Sequence, residues 1–236
     1  MKADPLSNEI HVWSARLPDS GGSVSQFLSV LSQDEIDRAG RFRQQKDRQR
    51  FIVSRGLLRK LLARYANKSA AQLRFAEGIY GKPELLDNES NLRFNLSHSG
   101  DRALYAVTRE REVGVDVEAE NPDLEWVQIA RGFFSPIEWN ALARLEIEQG
   151  RQAFMDLWSR KEALHKAIGA GFSLAADKVP LPLGKSPIQV SAQTLSGADA
   201  LWSIRHLEAG AGYYAALAVQ GEEMSVTCQD VDFSSL

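Results

Sequence analysis

The chain has 236 residues, 44% hydrophobic and 25% charged, an ordinary composition for a globular protein of one large domain or two modest ones. Its 28 basic against 31 acidic residues give a formal net charge of −3, which excludes the basic excess of a non-specific nucleic-acid binder. A single cysteine, Cys228, excludes an intramolecular disulfide and a cysteine-rich metal site, and no stretch is long and apolar enough to span a membrane.

The first ten residues lack the charged head and apolar run of a signal peptide, so a reducing, cytoplasmic setting is expected. Residues 10–17 read as a first strand. Ser32-Gln-Asp-Glu35 has the form of a capping box and opens a helix carrying Ile36, Ala39 and Phe42. A second helix is expected over residues 47–65, on the stripe Phe51, Leu58, Leu61 and Leu62. Arg55 interrupts that stripe. Arg38, Arg41, Arg43, Arg48 and Arg50 crowd the same two helices, and one or two are suited to clamp phosphate by forked hydrogen bonds. Residues 78–83 read as a stiff loop presenting Lys82. Short strands follow at 92–96, 103–108 and 113–118, the first two joined by a turn at Ser99-Gly-Asp101. Asn121-Pro122 marks a boundary. Helical segments come next at 123–132 and 136–148, and Gly150 separates them from a strong helix at 151–168 that Gly169 and Gly171 end. Late strands are expected at 201–207, 213–219 and 225–231. Helices followed by three strands thus occur twice. The pattern reads as two related α+β halves, residues 1–120 and 121–236, each a small, mostly antiparallel sheet packed with helices.

Two places carry chemistry out of pattern. On the strand Gly114-Val-Asp-Val-Glu118 side chains alternate, so Asp116 and Glu118 share one face, about 7 Å apart at Cα. Two carboxylates on a rigid element are hard oxygen ligands suited to Mg²⁺, although alone they also describe a strand with a solvated face. On the helix that follows, Phe154, Leu157, Trp158, Leu164 and Ile168 form an apolar face, with Lys161 and His165 in its middle and Glu162 at its edge. Lys166 stands one turn beyond Glu162, where it could form a surface ion pair. Lys161 either snorkels or reaches an anionic ligand. Phe94-Asn-Leu-Ser-His-Ser-Gly100 closes a strand in small residues whose hydroxyls and amides, with His98, can hold a phosphate.

Together these motifs resemble the 4′-phosphopantetheinyl transferase superfamily, the two-halved type that activates surfactin synthetase and its relatives. The matching pieces are Gly81-Lys82-Pro83, Phe94-Asn95-x-Ser97-His98-Ser99, Gly114-Val-Asp116-Val-Glu118, Trp158-Ser-x-Lys161-Glu162-Ala163 and Lys166-x-x-Gly169-x-Gly171, in register over residues 31–173. The resemblance implies a pseudo-dimer with the active site between its halves and coenzyme A as donor. A serine of an apo acyl or peptidyl carrier protein is the acceptor, and adenosine 3′,5′-bisphosphate is released. By position, Asp116, Glu118 and Glu162 would ligate Mg²⁺. Glu162 would also deprotonate the serine, directly or through a water, with Lys166 and His98 assisting catalysis. Lys82, Ser97, His98, Lys161, Lys166, Arg50 and Arg38 would make up the coenzyme A-binding set. Glu35 departs from the pattern, standing where a lysine is expected. A monomer acting on these two partners, with no nucleic-acid or membrane partner, completes the expectation.

Overall fold

The structure is a computed structural model that describes residues 6, 8–18, 24–78, 80–169 and 176–233. Among them the chain forms β1 (Glu9–Arg16), three helices α1 (Ser25–Leu28), α2 (Gln33–Gly40) and α3 (Gln45–Ala66), and a short hairpin of β2 (Phe75–Glu77) and β3 (Pro83–Leu85). Then come β4 (Leu92–Ser99), β5 (Arg102–Arg109) and β6 (Val113–Ala119). The rest comprises α4 (Trp126–Phe133), α5 (Pro136–Leu142), α6 (Ile147–Ile168), β7 (Ile188–Gln193), β8 (Asp199–Leu207), β9 (Tyr213–Gln220) and β10 (Ser225–Asp230).

Two four-stranded sheets pack face to face, in the orders β10-β1-β5-β4 and β6-β9-β8-β7; β1 and β10 are parallel and the other pairs antiparallel. Alternation along the strands builds three cores. Ile10, Val12, Leu104 and Ala106 of the first sheet meet Val113, Val115, Val117, Leu217 and Val219 of the second between the sheets. The outer face of the first sheet carries Phe94, Tyr105 and Val107 against Leu57, Leu58, Leu61 and Leu62 of α3. The outer face of the second carries Trp202, Ile204, Ala216 and Ala218 against Phe154, Leu157, Leu164 and Ile168 of α6. The result is an α+β pseudo-dimer in which each helix covers one sheet.

The strands are exchanged. β6, which closes the first run of helices and strands, pairs with β9; β10, which closes the second, pairs with β1. Helix limits also depart from the sequence pattern. The fourth helix begins only at Trp126, because Asp123 donates its amide to Asn121 Oδ1 at 3.0 Å and holds a turn there. Ser135 and Glu138 cap α5, which stops at Leu142. Gly150 does not separate two helices but lies inside α6. A Cβ on it would fall 2.8 Å from the Trp126 ring, so the glycine makes room for that ring. Gly169 ends α6 in the left-handed region at φ 77°, while Gly171 lies outside the described residues. The loop expected at 78–83 lies in the connection between β2 and β3, with Pro83 already in β3; these two short strands and β7 were not foreseen.

Candidate active site

The acidic strand and the charged helix meet. Gly114 is the reason: a Cβ there would lie 2.1 Å from Ala163 O and 2.3 Å from Ala167 N, so only a residue without a side chain lets α6 rest directly on β6. Ala163 and Ala167 are fully buried in that contact. One turn apart on the same helix, Glu162 and Lys166 are thereby carried to the strand face that bears Asp116 and Glu118.

Lys166 does not pair with Glu162. Its ammonium donates to Asp116 Oδ1 at 2.5 Å and to Ser97 Oγ at 2.9 Å, and Ser97 Oγ donates to Asp116 Oδ1 at 3.1 Å. Asp116 is 1% exposed, and its second oxygen, Oδ2, is buried without a hydrogen-bond partner. Burial pushes the Asp116 carboxyl above its ordinary pKa against the pull of Lys166, and the charge of Glu162 pushes it further. Glu118 is raised as well, first by burial and then by the charge of Asp116, while its bond from Ser99 and the charge of Lys166 pull the other way. Glu162 Oε1 lies 3.8 Å from His165 Nδ1.

Three carboxyl groups therefore face one ammonium. Among the described residues no three His, Cys, Asp or Glu side chains converge as a ready-made metal site. Lys166 lies against one oxygen of Asp116, and the other is buried without a hydrogen-bond partner. Hard oxygen donors in net excess fit a divalent ion such as Mg²⁺.

Beside this cluster a cleft of about 840 Å³ opens between α2, α3, the hairpin and β4, lined among others by Arg38, Phe51, Arg55, Phe75, Pro83 and His98. His98 opens toward it. Desolvation, then the charges of Lys166 and Arg50, hold its imidazole below the ordinary pKa, so the ring is neutral at pH 7. Arg38 stands at the rim, paired to Glu77 at 3.2 Å. A smaller cavity of about 420 Å³, lined by Ile10, Ile188, Ile204 and Leu217, lies at the margin of the inter-sheet core and contains no member of the acidic cluster.

Other expected site residues lie apart. Lys161 is 3% exposed and turned into the second core, bonded to Glu138 Oε1 at 2.7 Å and Val179 O at 2.9 Å, with the Phe134 ring beneath it. That partnership, rather than snorkelling, explains a lysine in an apolar stripe. Lys82 sits at the junction of the halves but spends its three donors on Glu112 (2.8 Å), Val113 O (3.2 Å) and Ala167 O (3.0 Å). Arg55 interrupts its stripe because Glu35 receives it at 2.5 Å, alongside Arg59 at 2.6 Å. Glu35 thus stands where a lysine was expected because it anchors two arginines. Asn95 and Ser99 went unassigned from sequence although they share the strand face of Ser97. Asn95 Oδ1 accepts from Val115 N at 2.9 Å, and Ser99 donates to Glu118 at 3.1 Å. The signal available was their spacing of two.

Comparison with known proteins agrees with this architecture. Residues 112–218 match the profile described as the 4′-phosphopantetheinyl transferase superfamily, and residues 18–110 match the 4′-phosphopantetheinyl transferase N-terminal profile. The chain is 36% identical to the 4′-phosphopantetheinyl transferase HetI of Nostoc sp. (strain PCC 7120) over 92% of this chain and 90% of that one. It is 30% identical to the 4′-phosphopantetheinyl transferase Sfp of Bacillus subtilis (strain 168) over 70% and 72%. It is 28% identical to the human L-aminoadipate-semialdehyde dehydrogenase-phosphopantetheinyl transferase over 68% and 54%. Two profiles that together span residues 18–218 but for one position, and a relative 36% identical over 92% of this chain and 90% of its own length, establish that it belongs to the 4′-phosphopantetheinyl transferase superfamily and is an enzyme of that class.

Proposed function

We propose that the enzyme transfers the 4′-phosphopantetheine arm of coenzyme A to a serine of an apo acyl or peptidyl carrier protein, with Mg²⁺, releasing adenosine 3′,5′-bisphosphate. The observation that carries this reading is the buried Asp116 with one oxygen on Lys166 and the other unpartnered, at the seam where β4, β6 and α6 converge. Asp116, Glu118 and Glu162 would hold the metal, which when bound would neutralise charge on the pyrophosphate. The working division of the chain is at residue 120, so the two halves contribute Asp116 and Glu118 on one side and Glu162 and Lys166 on the other.

In the reaction the carrier serine oxygen forms a bond to the β-phosphorus and the bond from that phosphorus to the bridging oxygen breaks. The serine proton goes to Glu162, directly or through a water. Lys166, released from Asp116, has an ammonium in position to follow the departing phosphate oxygen, and neutral His98 can donate a hydrogen bond to a phosphate oxygen. The cleft lined by Arg38, Phe51 and His98 is assigned to the nucleotide; Arg50, Lys82 and Ser97, which do not line it, are assigned to its phosphates on the family resemblance alone. Lys161, with its ammonium engaged by Glu138, is not given a role there. Among the described residues no helix is long and apolar enough to cross a membrane.

The test is mass spectrometry of an apo carrier protein incubated with the enzyme, coenzyme A and Mg²⁺. The expected result is a gain of one phosphopantetheine mass on the carrier. Rapid hydrolysis of coenzyme A without carrier would instead identify a nucleotide pyrophosphatase using the same carboxylates.

A further inference from the structure

We infer that Ser99 is a positioning residue that fixes the Glu118 carboxylate for metal binding, an inference that rests on the reading of Glu118 as a ligand. No backbone ladder joins β4 to β6; they are edge strands of different sheets. Side chains from alternate residues of β4 make the join instead, Asn95 to the Val115 amide, Ser97 to Asp116 and Ser99 to Glu118. This seam satisfies amides that an edge strand otherwise leaves open.

Ser99 differs from the other two because it is used in both directions on one short segment. Its oxygen accepts the Ala119 amide at 3.0 Å and its hydroxyl donates to Glu118 Oε2 at 3.1 Å. The amide fixes the lone-pair side, so the single hydroxyl proton is directed at the carboxylate. Glu118 is thus oriented against the backbone of its own strand through a residue of the opposite sheet. Behind Ser99 the turn is anchored. Tyr213 OH donates to Asp101 Oδ1 at 2.5 Å and accepts from the Asp101 amide at 3.3 Å, and Tyr213 is the ladder partner of Ala119. Glu118, Ala119, Tyr213, Asp101 and Ser99 therefore close a ring through both sheets. A half-buried glutamate free to sample rotamers would lose that freedom on binding; here it is already restrained.

Mn²⁺ binding to the whole enzyme, measured by electron paramagnetic resonance without coenzyme A, tests this directly. Ser99→Ala is expected to weaken Mn²⁺ about tenfold. It should raise the apparent KM for the metal, with kcat recovered at saturating metal. Ser99→Thr, which keeps the hydroxyl on a strand, is expected to restore affinity. Glu118→Gln must also weaken Mn²⁺, and on that background Ser99→Ala should add nothing. If Glu118→Gln binds Mn²⁺ as the parent does, the ligand assignment falls. If Glu118→Gln weakens binding and Ser99→Ala does not, the ligand assignment stands and the positioning role is overturned. A lowered Tm in Ser99→Ala with unchanged Mn²⁺ affinity overturns it equally.

Discussion

The molecule buries acids in two kinds of setting. At Glu35 and Glu138 every oxygen is claimed. Glu35 receives the guanidiniums of Arg55 and Arg59 and the Ser32 amide. Glu138 receives Lys161, the Leu181 amide and both the amide and hydroxyl of Ser135. At Asp116, Glu118 and Glu162 the acids outnumber their one lysine, and a buried oxygen is left over. Saturated acids hold elements together; a surplus of acid waits for a cation that folding does not supply. Exposure does not separate the two, since Glu138 and Asp116 are each 1% exposed. The count of partners does.

The sharpest way to break the contrast is Asp116→Ala. Transfer is expected to fall by at least about 10³-fold with the fold retained, because the residue removed has one buried oxygen without a partner and, on the proposed function, would hold the reacting phosphates' counter-ion. Labelling of a carrier protein and circular dichroism on one sample check this, and retained Mg²⁺-dependent labelling would return Asp116 to the scaffold. Lys161→Ala should do the reverse. Leaving Glu138 buried without its cation is expected to cost about 3 kcal/mol, roughly 10 °C in Tm for a chain of this size, with KM for coenzyme A unchanged below the transition. A raised KM at unchanged Tm would move Lys161 into the site. Lys82 bridges the two classes, since its ammonium clamps the hairpin to β6 and α6 at the junction of the halves while the proposed function assigns it to the coenzyme A phosphates. Steady-state kinetics of Lys82→Ala should give a KM for coenzyme A about tenfold higher, the loss of one charged hydrogen bond. An unchanged KM would leave it a clamp alone.

The smallest effect is in pH. The bonds to Glu35 from the Ser32 amide, Arg55 and Arg59 together outweigh desolvation and hold its carboxyl below the ordinary range. A depressed folded pKa gives stability that is present above the unfolded value, near about 4.3 for glutamate, and lost as pH falls through the folded value. Asp116 has the opposite sign. Its raised pKa makes its contribution greatest in acid and lost as pH rises. Urea unfolding in chelator should therefore show Glu35→Gln with a lower midpoint at pH 7 but a shallower decline below pH 5 than the parent enzyme. A parallel decline in both would mean that Glu35 is not a stabilising acid.

Much of this was legible in the chain. Periodicity located α3, α6 and β4 through β6, because each buries a face with a repeat of 3.6 or 2 that local sequence must display. The motifs also located the acids. What stayed hidden depended on partners distant in sequence. Gly150 looked like a helix breaker because nothing local reveals Trp126 above it. Lys161 looked like a ligand-binding residue because Glu138 lies 23 positions away and only packing brings them together. Three-residue strands such as β2 and β3 carry too few alternations to register, and β7 has only Ala192 fully buried. Ser99 was in view only as one hydroxyl of a phosphate-holding turn, since its acceptor, Glu118, sits on another sheet.

Cleaved after Glu120, the chain would yield two fragments, each missing a strand that completes its sheet. One would keep β1, β4 and β5 without β10; the other would keep β7, β8 and β9 without β6. The chemistry divides at the same cut, Asp116 and Glu118 leaving on β6 while Glu162 and Lys166 stay on α6. Neither fragment could label a carrier protein, and each would present an open sheet edge that only the other's last strand fits. Fused to two proteins that meet, they would reconstitute a labelling enzyme at the point of contact, so the strand exchange makes this fold a natural candidate for a split reporter.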